Sequence, residues 1–573
     1  MLLKNIKISN DYNIFMIIAS RKPSLKDIYK IIKVSKFDEP ADLIIEDASY
    51  IDIYTKRISS GNIAIASGRI AYIGDEMPLK NNDTRIIKND FLIAPGYIEG
   101  HAHPFQIYNP VTFNEIMIRH GTSMVISDDL PMYIKMGLKN IKRFMRFMGR
   151  LPVKNFWSVR LDSQSMIDME KFSYIKIKEL LNDDYVLQAG EITGWPYIIN
   201  MEKNMLKNIY NSQFLGKRIE THNPGASKNT LNRMAAAGIT SDHEAITGED
   251  VKTRLSLGYH VFLRYSSIRK DLKDELKYII DEKLPLNRLM LTNDGSPYYN
   301  DYMGMDDLIK IAISAGLNPF DAYSMASLNP AVYYNIDGIY GGIAPGRLAD
   351  MNFIRDLYNP EPVFLMLDGK IIDKEVKLDP PDWKGYGMLY KNRNIDINKI
   401  NFNGSDETLF MRNQVIMDLN KYKMEDSMEI HLITKDLKRI VSSNIHGMGH
   451  FDALASSYNI EGSYIVIGSS HDLMKKALKE VIKNGGIVFN GNKNIRIELK
   501  ILGIMSDKHS DDVRNITEEF RSTMRGSGYK FDDPVYSMLF LNSINLPYYR
   551  ITSSGIVEVK TRKIIKKPVS LKI

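Results

Sequence analysis

The chain has 573 residues, 44% of them apolar and 25% charged, with 76 basic against 69 acidic residues and a formal net charge of +7. These are ordinary globular proportions, and the length suits several domains around a sizeable core. The sequence has no cysteine. That excludes disulfides, thiolate metal sites, cysteine nucleophiles and the zinc deaminase design built on cysteine ligands, and it fits a cytoplasmic protein. The positive charge is spread widely and clusters only in tracts such as residues 561–567, so a solvated surface is expected rather than nucleic-acid binding. No apolar run reaches the length of a membrane span.

Residues 1–41 read as an N-terminal extension. Its apolar stretch at 12–20 follows Lys4 and Lys7 and faintly resembles a signal peptide. It is short and is followed by Arg21-Lys22 and a charged helical segment, so a packed strand or helix is expected. From Asp42, alternating segments at 43–45, 62–65 and 69–74 read as strands separated by glycine turns. They predict a β unit over 42–94, matched by a second β set within 345–380.

The segment 95–344 carries the chemistry. Leu92 and Ile93 lead into Pro95-Gly96, the strand resumes at Tyr97-Ile98, and His101 and His103 follow. Residues i and i+2 of a strand share a side, so both imidazoles can converge on one metal ion. Glu191, His222, His243 and Asp294 each close an apolar, strand-like run before a turn signal. An eight-unit βα barrel spends about 250 residues on its eight units. Against that length the gaps between the six residues count three units, one, one and two, which puts them at the ends of strands 1, 4, 5, 6 and 8.

One short unit can be read directly: Ser227 as N-cap, an apolar stripe of Leu231, Met234 and Ala235, and Gly238 as stop. Such barrels carry their sites at the C-terminal ends of the strands. Four imidazoles and two carboxylates there suit two divalent ions, and this donor set accepts zinc, iron or manganese alike. Asp242 and Glu244 flank His243, and strand alternation sends them to the other face, as supports behind the ligands or salt-bridge partners. Arg264, Ser266 and Ser267 end the expected strand 7. A helix over 305–316 and a second one capped by Asn318 close the barrel.

Residues 380–405 look like a linker, and 400–573 an α+β domain. Its clearest element is a helix capped by Ser470, bearing Leu473, Ala477, Leu478, Val481 and Ile482 and stopped by Asn484-Gly-Gly. His446 and His450 invite a metal reading, which the glycines between them oppose.

The runs Pro95–His103, Gly190-Glu191, His222–Ser227, Ser241–Glu244 and Ile343–Asp350 together resemble the adenine deaminases of the amidohydrolase superfamily, from about Ala41 to the C-terminus. The resemblance implies an α/β fold: a metal-dependent hydrolase (β/α)8 TIM barrel, a composite flanking β-sandwich from 42–94 and 345–380, and a C-terminal α+β domain. It implies that Glu191 bridges where most of the superfamily uses a carboxylated lysine. His101, His103, Glu191 and Asp294 would hold one metal and Glu191, His222 and His243 the other, manganese being favoured over iron or zinc.

The implied reaction is hydrolytic deamination of adenine to hypoxanthine and ammonia by hydroxide attack at C6. Asp294 would shuttle the proton, Glu191 and Glu244 would share the catalytic set, and Arg264, Ser266, Ser267 and Asp128 would face the substrate. The expected partner is a small purine in salvage or catabolism, acted on by a cytoplasmic homo-oligomer with no nucleic acid or membrane.

The chain departs from the family at Ser127-Asp128-Asp129-Leu-Pro131, where Asp-Pro-His-Glu is usual. It departs again at Ala455-Ser-Ser-Tyr-Asn459, where His-Asp-Ser-His-Asn is usual, and at Glu99, where Asp is usual. Two alternatives stay open: the same centre acting on another aminopurine or a cyclic amide, and a metal-stabilised scaffold without turnover. Ammonia release distinguishes deamination from ring opening, and metal-dependent turnover of any substrate would exclude the scaffold.

Overall fold

The computed structural model describes residues 21–571 except Asn89. The strand or helix expected at 12–20 lies outside the described residues. Eight parallel strands form the central sheet: β1 Tyr97–Ala102, β2 Thr122–Asp128, β3 Lys154–Val159, β4 Val186–Ile192, β5 Arg218–Thr221, β6 Ser241–Asp242, β7 His260–Arg264 and β8 Leu289–Thr292. Each pairs with the next in sequence, helices cross between them, and β8 packs back against β1 to close the barrel. The helix expected after Ser227 is Lys228–Ala236. The Ser227 hydroxyl accepts from Thr230 N, and Leu231 and Met234 are buried.

The barrel interior is filled by Ile98, Met124, Ile126, Phe156, Phe262 and Met290, and a tyrosine-rich segment with Tyr333, Tyr334 and Tyr340 packs against this cluster. Gly100 is required in β1, because a Cβ there would stand 2.5 Å from the Phe262 ring. With one end of the barrel closed by side chains, the strand C-termini are left as the open end.

Strands from before and after the barrel meet in one eight-stranded sheet. Its order is Lys370–Ile372, Asn359–Leu367, Met351–Asp356, Leu92–Pro95, Leu43–Asp52, Arg57–Ala66 and Arg69–Gly74, with Arg85–Lys88 beside Leu43–Asp52. Helix Leu25–Ser35 starts in a capping box of Ser24 and Asp27 and sets Val34 against Ile44, Ala64 and Ala71. Leu92–Pro95 turns at Gly96 into β1, so the strand that carries His101 is anchored in this sheet.

The C-terminal region holds a nine-stranded sheet and a three-stranded one, Tyr549–Thr552, Gly555–Glu558 and Lys563–Lys566. Its expected helix spans His471–Asn484 and buries the predicted Ala477, Leu478, Val481 and Ile482, but the Ser470 side chain makes no capping bond. The segment expected as a linker packs instead: Ile400 and Phe402 are buried, and Tyr390 donates to the Ile482 carbonyl at 2.9 Å.

Candidate metal centre and substrate cavity

At the open end of the barrel His101, near the end of β1, and His103, just past it, turn toward Asp294, two residues beyond β8. The Nε2 atoms of His101 and His103 lie 2.9 and 3.2 Å from Asp294 Oδ1 and 3.3 Å from each other. Glu191 reaches both sides of the centre. Its Oε2 is 3.5 Å from His103 Nε2, while its Oε1 is 2.7 Å from His222 Nδ1 and 3.6 Å from His243 Nε2. His222 Nδ1 and His243 Nε2 stand 3.3 Å apart. The six residues read from strands 1, 4, 5, 6 and 8 thus converge in two groups that share one carboxylate.

The donor set fits divalent cations. His101 and His243 turn their Nδ1 atoms to Glu220, at 2.8 and 3.1 Å, and His103 turns its Nδ1 to Asp128 at 2.9 Å. In the neutral imidazoles the Nε2 lone pairs then point into the centre. There Asp294 Oδ1 is buried without a hydrogen-bond donor. Lone pairs facing one another need positive charge between them. Burial opposes protonation of His103, yet Asp294 and Asp128 lift it to about 9, and Glu220 and Asp294 likewise lift His101 well above the usual imidazole range. A divalent cation would take the place of those protons.

Two supports escaped the sequence reading. Glu220 lies on β5 two residues before His222. It is fully buried, and against the cost of burial His101 and His243 hold its carboxyl at about 2. Arg160, just past β3, donates from Nη2 to Asp128 Oδ2 and Glu191 Oε2, both at 2.6 Å. Both carry a signal that could have found them: a charged residue at the inward or terminal position of an apolar strand, as for the ligands themselves. Asp294 takes a left-handed φ of 61°, and Gly295 follows because a Cβ there would stand 2.5 Å from His103 N.

Three placements correct the sequence reading. Asp128, expected on the substrate, is buried behind His103 and Arg160, and Arg160 and His103 hold it at about 2 against burial. Ser266 accepts from Arg264 Nε at 3.2 Å, and Ser267 donates to Asp533 Oδ2 at 2.6 Å, so neither faces the cavity. Glu244, expected on the far face of its strand, turns inward because β6 ends at Asp242. Its Oε1 is 3.3 Å from His222 Nδ1 and 3.4 Å from His243 Nε2 and accepts from Arg264 at 2.6 Å. Asp242 instead pairs with Arg254 at 2.6 Å. His446 faces the Glu425 carbonyl at 3.2 Å, and among the described residues neither it nor His450 joins a group of metal-ligating side chains.

Arg264 lines the cavity and donates to Asp294 Oδ2 at 2.8 Å. Burial would raise the Asp294 carboxyl, but Arg264, His103 and His101 hold it well below the usual carboxylate range. Above the centre opens a cavity of about 1070 Å³ whose far wall is contributed by the C-terminal region, at 413–418, 539–549 and 558–562. His103, Glu191, His222, His243 and Asp294 therefore form the floor of a cavity roofed by another part of the chain.

Residues 92–373 match the amidohydrolase family, and residues 406–563 match the adenine deaminase C-terminal domain. A provisionally named adenine deaminase of Halalkalibacterium halodurans is 35% identical over 94% of this chain and 97% of its own length. A provisionally named one of Bacillus subtilis is 34% identical over 94% and 97%. The adenine deaminase of Cenarchaeum symbiosum is 28% identical over 95% of each chain.

Proposed function

This chain belongs to the adenine deaminase family of amidohydrolases, and on that premise we propose that it converts adenine and water to hypoxanthine and ammonia. The observation that carries the reading is the floor of the cavity, where Glu191 faces His103 on one side and His222 and His243 on the other. We assign the holding of two divalent ions to His101, His103, Glu191 and Asp294 on one side and Glu191, His222 and His243 on the other, with manganese favoured by the family resemblance. Bound there, divalent ions supply Lewis acidity, lowering the pKa of water so that hydroxide is available near neutral pH.

The remaining work falls to side chains. Asp294 stays ionised beside Arg264, so a carboxylate oxygen can take the proton from the attacking water. It returns that proton to the ring or to the departing amine, which balances the exchange of the amino group for oxygen at C6. Arg160 fixes the Glu191 carboxylate from below, and Arg264 ties Glu244 to Asp294. Roofing the cavity with the C-terminal region limits bulk water around the ring. Among the described residues no helix is long and apolar enough to cross a membrane. A cytoplasmic role in purine salvage or catabolism, in a homo-oligomer, completes the proposal.

The test loads the purified protein separately with manganese, iron and zinc and measures ammonia release from adenine, with Glu191→Gln and Asp294→Asn as controls. Ammonia release by the wild type that both variants lose is the expected result. No ammonia from any fully metallated form would remove adenine as the substrate.

A further inference from the structure

Two segments from different parts of the chain meet at one wall of the cavity. Gln106, three residues past His103, lines the cavity while only 1% exposed. Tyr458 is fully buried in the turn between strands Ala453–Ser456 and Tyr464–Gly468, and its hydroxyl donates to Gln106 Oε1 at 2.7 Å. Gln106 is the one acceptor for that hydroxyl among the described residues. Turning the amide over would leave the buried hydroxyl without an acceptor, which costs more than the bond itself contributes. Oε1 therefore stays on Tyr458. Nε2 has no protein partner among the described residues and is left as a free donor for the cavity.

Both segments are held rigidly. Ile107, next to Gln106, adopts φ 69°, an uncommon conformation for a β-branched residue. It is kept there by a parallel bridge to Met505 and by Ser506 N donating to its carbonyl at 2.6 Å. On the other side Ser457 donates to the Gly503 carbonyl at 2.6 Å, and Asn459 Nδ2 donates to the Ser463 carbonyl at 2.7 Å. The C-terminal region thus fixes the position of the Gln106 backbone and the orientation of its amide.

We propose that Gln106, oriented by Tyr458, donates from Nε2 to a ring nitrogen of the aminopurine and so selects an unprotonated purine edge. The assignment rests on the deaminase reading and names one residue that recognises its substrate. Adenine presents nitrogen lone pairs around both rings, and an amide N–H is the matching donor. Tyr458 acts through Gln106 as a positioning residue.

The experiment compares the manganese-loaded wild type with Gln106→Ala and Tyr458→Phe. It measures kcat and KM for adenine, metal content, and inhibition constants for adenine analogues that lack one ring nitrogen in turn. In the wild type one analogue should bind roughly tenfold more weakly than adenine, and Gln106→Ala should abolish that penalty. Tyr458→Phe should raise KM for adenine and shrink the same penalty, with kcat and metal content near the wild type. Equal penalties in wild type and Gln106→Ala would overturn the assignment while leaving adenine turnover intact. A metallated wild type that neither turns over nor binds adenine would take down the deaminase reading and this assignment with it. Gln106→Ala leaves the roof untouched, so a folding defect in Tyr458→Phe would not decide the matter.

Discussion

At the floor of the cavity three of the four converging imidazoles are held from behind by carboxylates: His101 and His243 by Glu220, and His103 by Asp128. At the roof two buried contacts involve only neutral groups or backbone. Arg550 is fully buried and donates to the carbonyls of Ser543, Tyr549 and Val415 with no carboxylate beside it, and Tyr458 meets Gln106. The floor is organised by buried charge, and these two roof contacts are not. Variants of the floor should therefore move metal affinity, turnover and pH response, while variants of the roof should move stability and substrate affinity.

The largest effect belongs to Asp294. Asp294→Asn keeps the size of the side chain and removes its proton acceptor, so ammonia release should fall by about a hundred- to ten-thousandfold. Steady-state kinetics at matched metal content measures this, and turnover within a few fold of the wild type would remove Asp294 from the proton path. Glu220→Gln comes next. Releasing two imidazoles at once should weaken metal binding by roughly 10–100-fold, read by competition with a chelator. Unchanged affinity would mean that the carboxylate merely fills space.

Arg550→Met sharpens the contrast from above. It strands buried carbonyls and should cost about 1–3 kcal/mol in denaturant unfolding with metal content preserved. Loss of metal in this variant would show that floor and roof are one cooperative unit. The smallest effect is a slope. Burial and the neighbouring Asp128 push Asp129 up to about 8 from an ordinary 3.8, so the folded chain holds a proton there that the unfolded chain has lost. Stability from this residue falls as pH rises from about 4 to about 8 and then levels. Asp129→Asn should flatten that part of the unfolding profile, and an unchanged profile would refute the buried protonated carboxyl.

The same division explains what could be read from the sequence. The convergence of the six residues was legible because each closes an apolar strand just before a turn, and barrel spacing orders them without knowledge of contacts. Glu220 carries the same parity signal two residues before His222, while Arg160 ends β3 as the ligands end their strands. Glu244 was sent to the wrong face because alternation was extended past Asp242, where β6 stops. Asp128, Ser266 and Ser267 sit at strand ends too, but a strand end does not say whether a polar group faces the cavity or the wall. The roof showed in the sequence only as the departure from the family pattern at 455–459, without the contact it makes. Gln106 and Tyr458 are 352 positions apart, and only the packing of the C-terminal region against the barrel brings them together.

The central claim is that Glu191 joins two metal positions into one centre, and metal stoichiometry with electron paramagnetic resonance on manganese-loaded protein tests it most directly. The account predicts two ions per chain and a spin-coupled signal in the wild type, and no more than one ion with no coupling in Glu191→Gln. Two coupled ions retained by Glu191→Gln would contradict it.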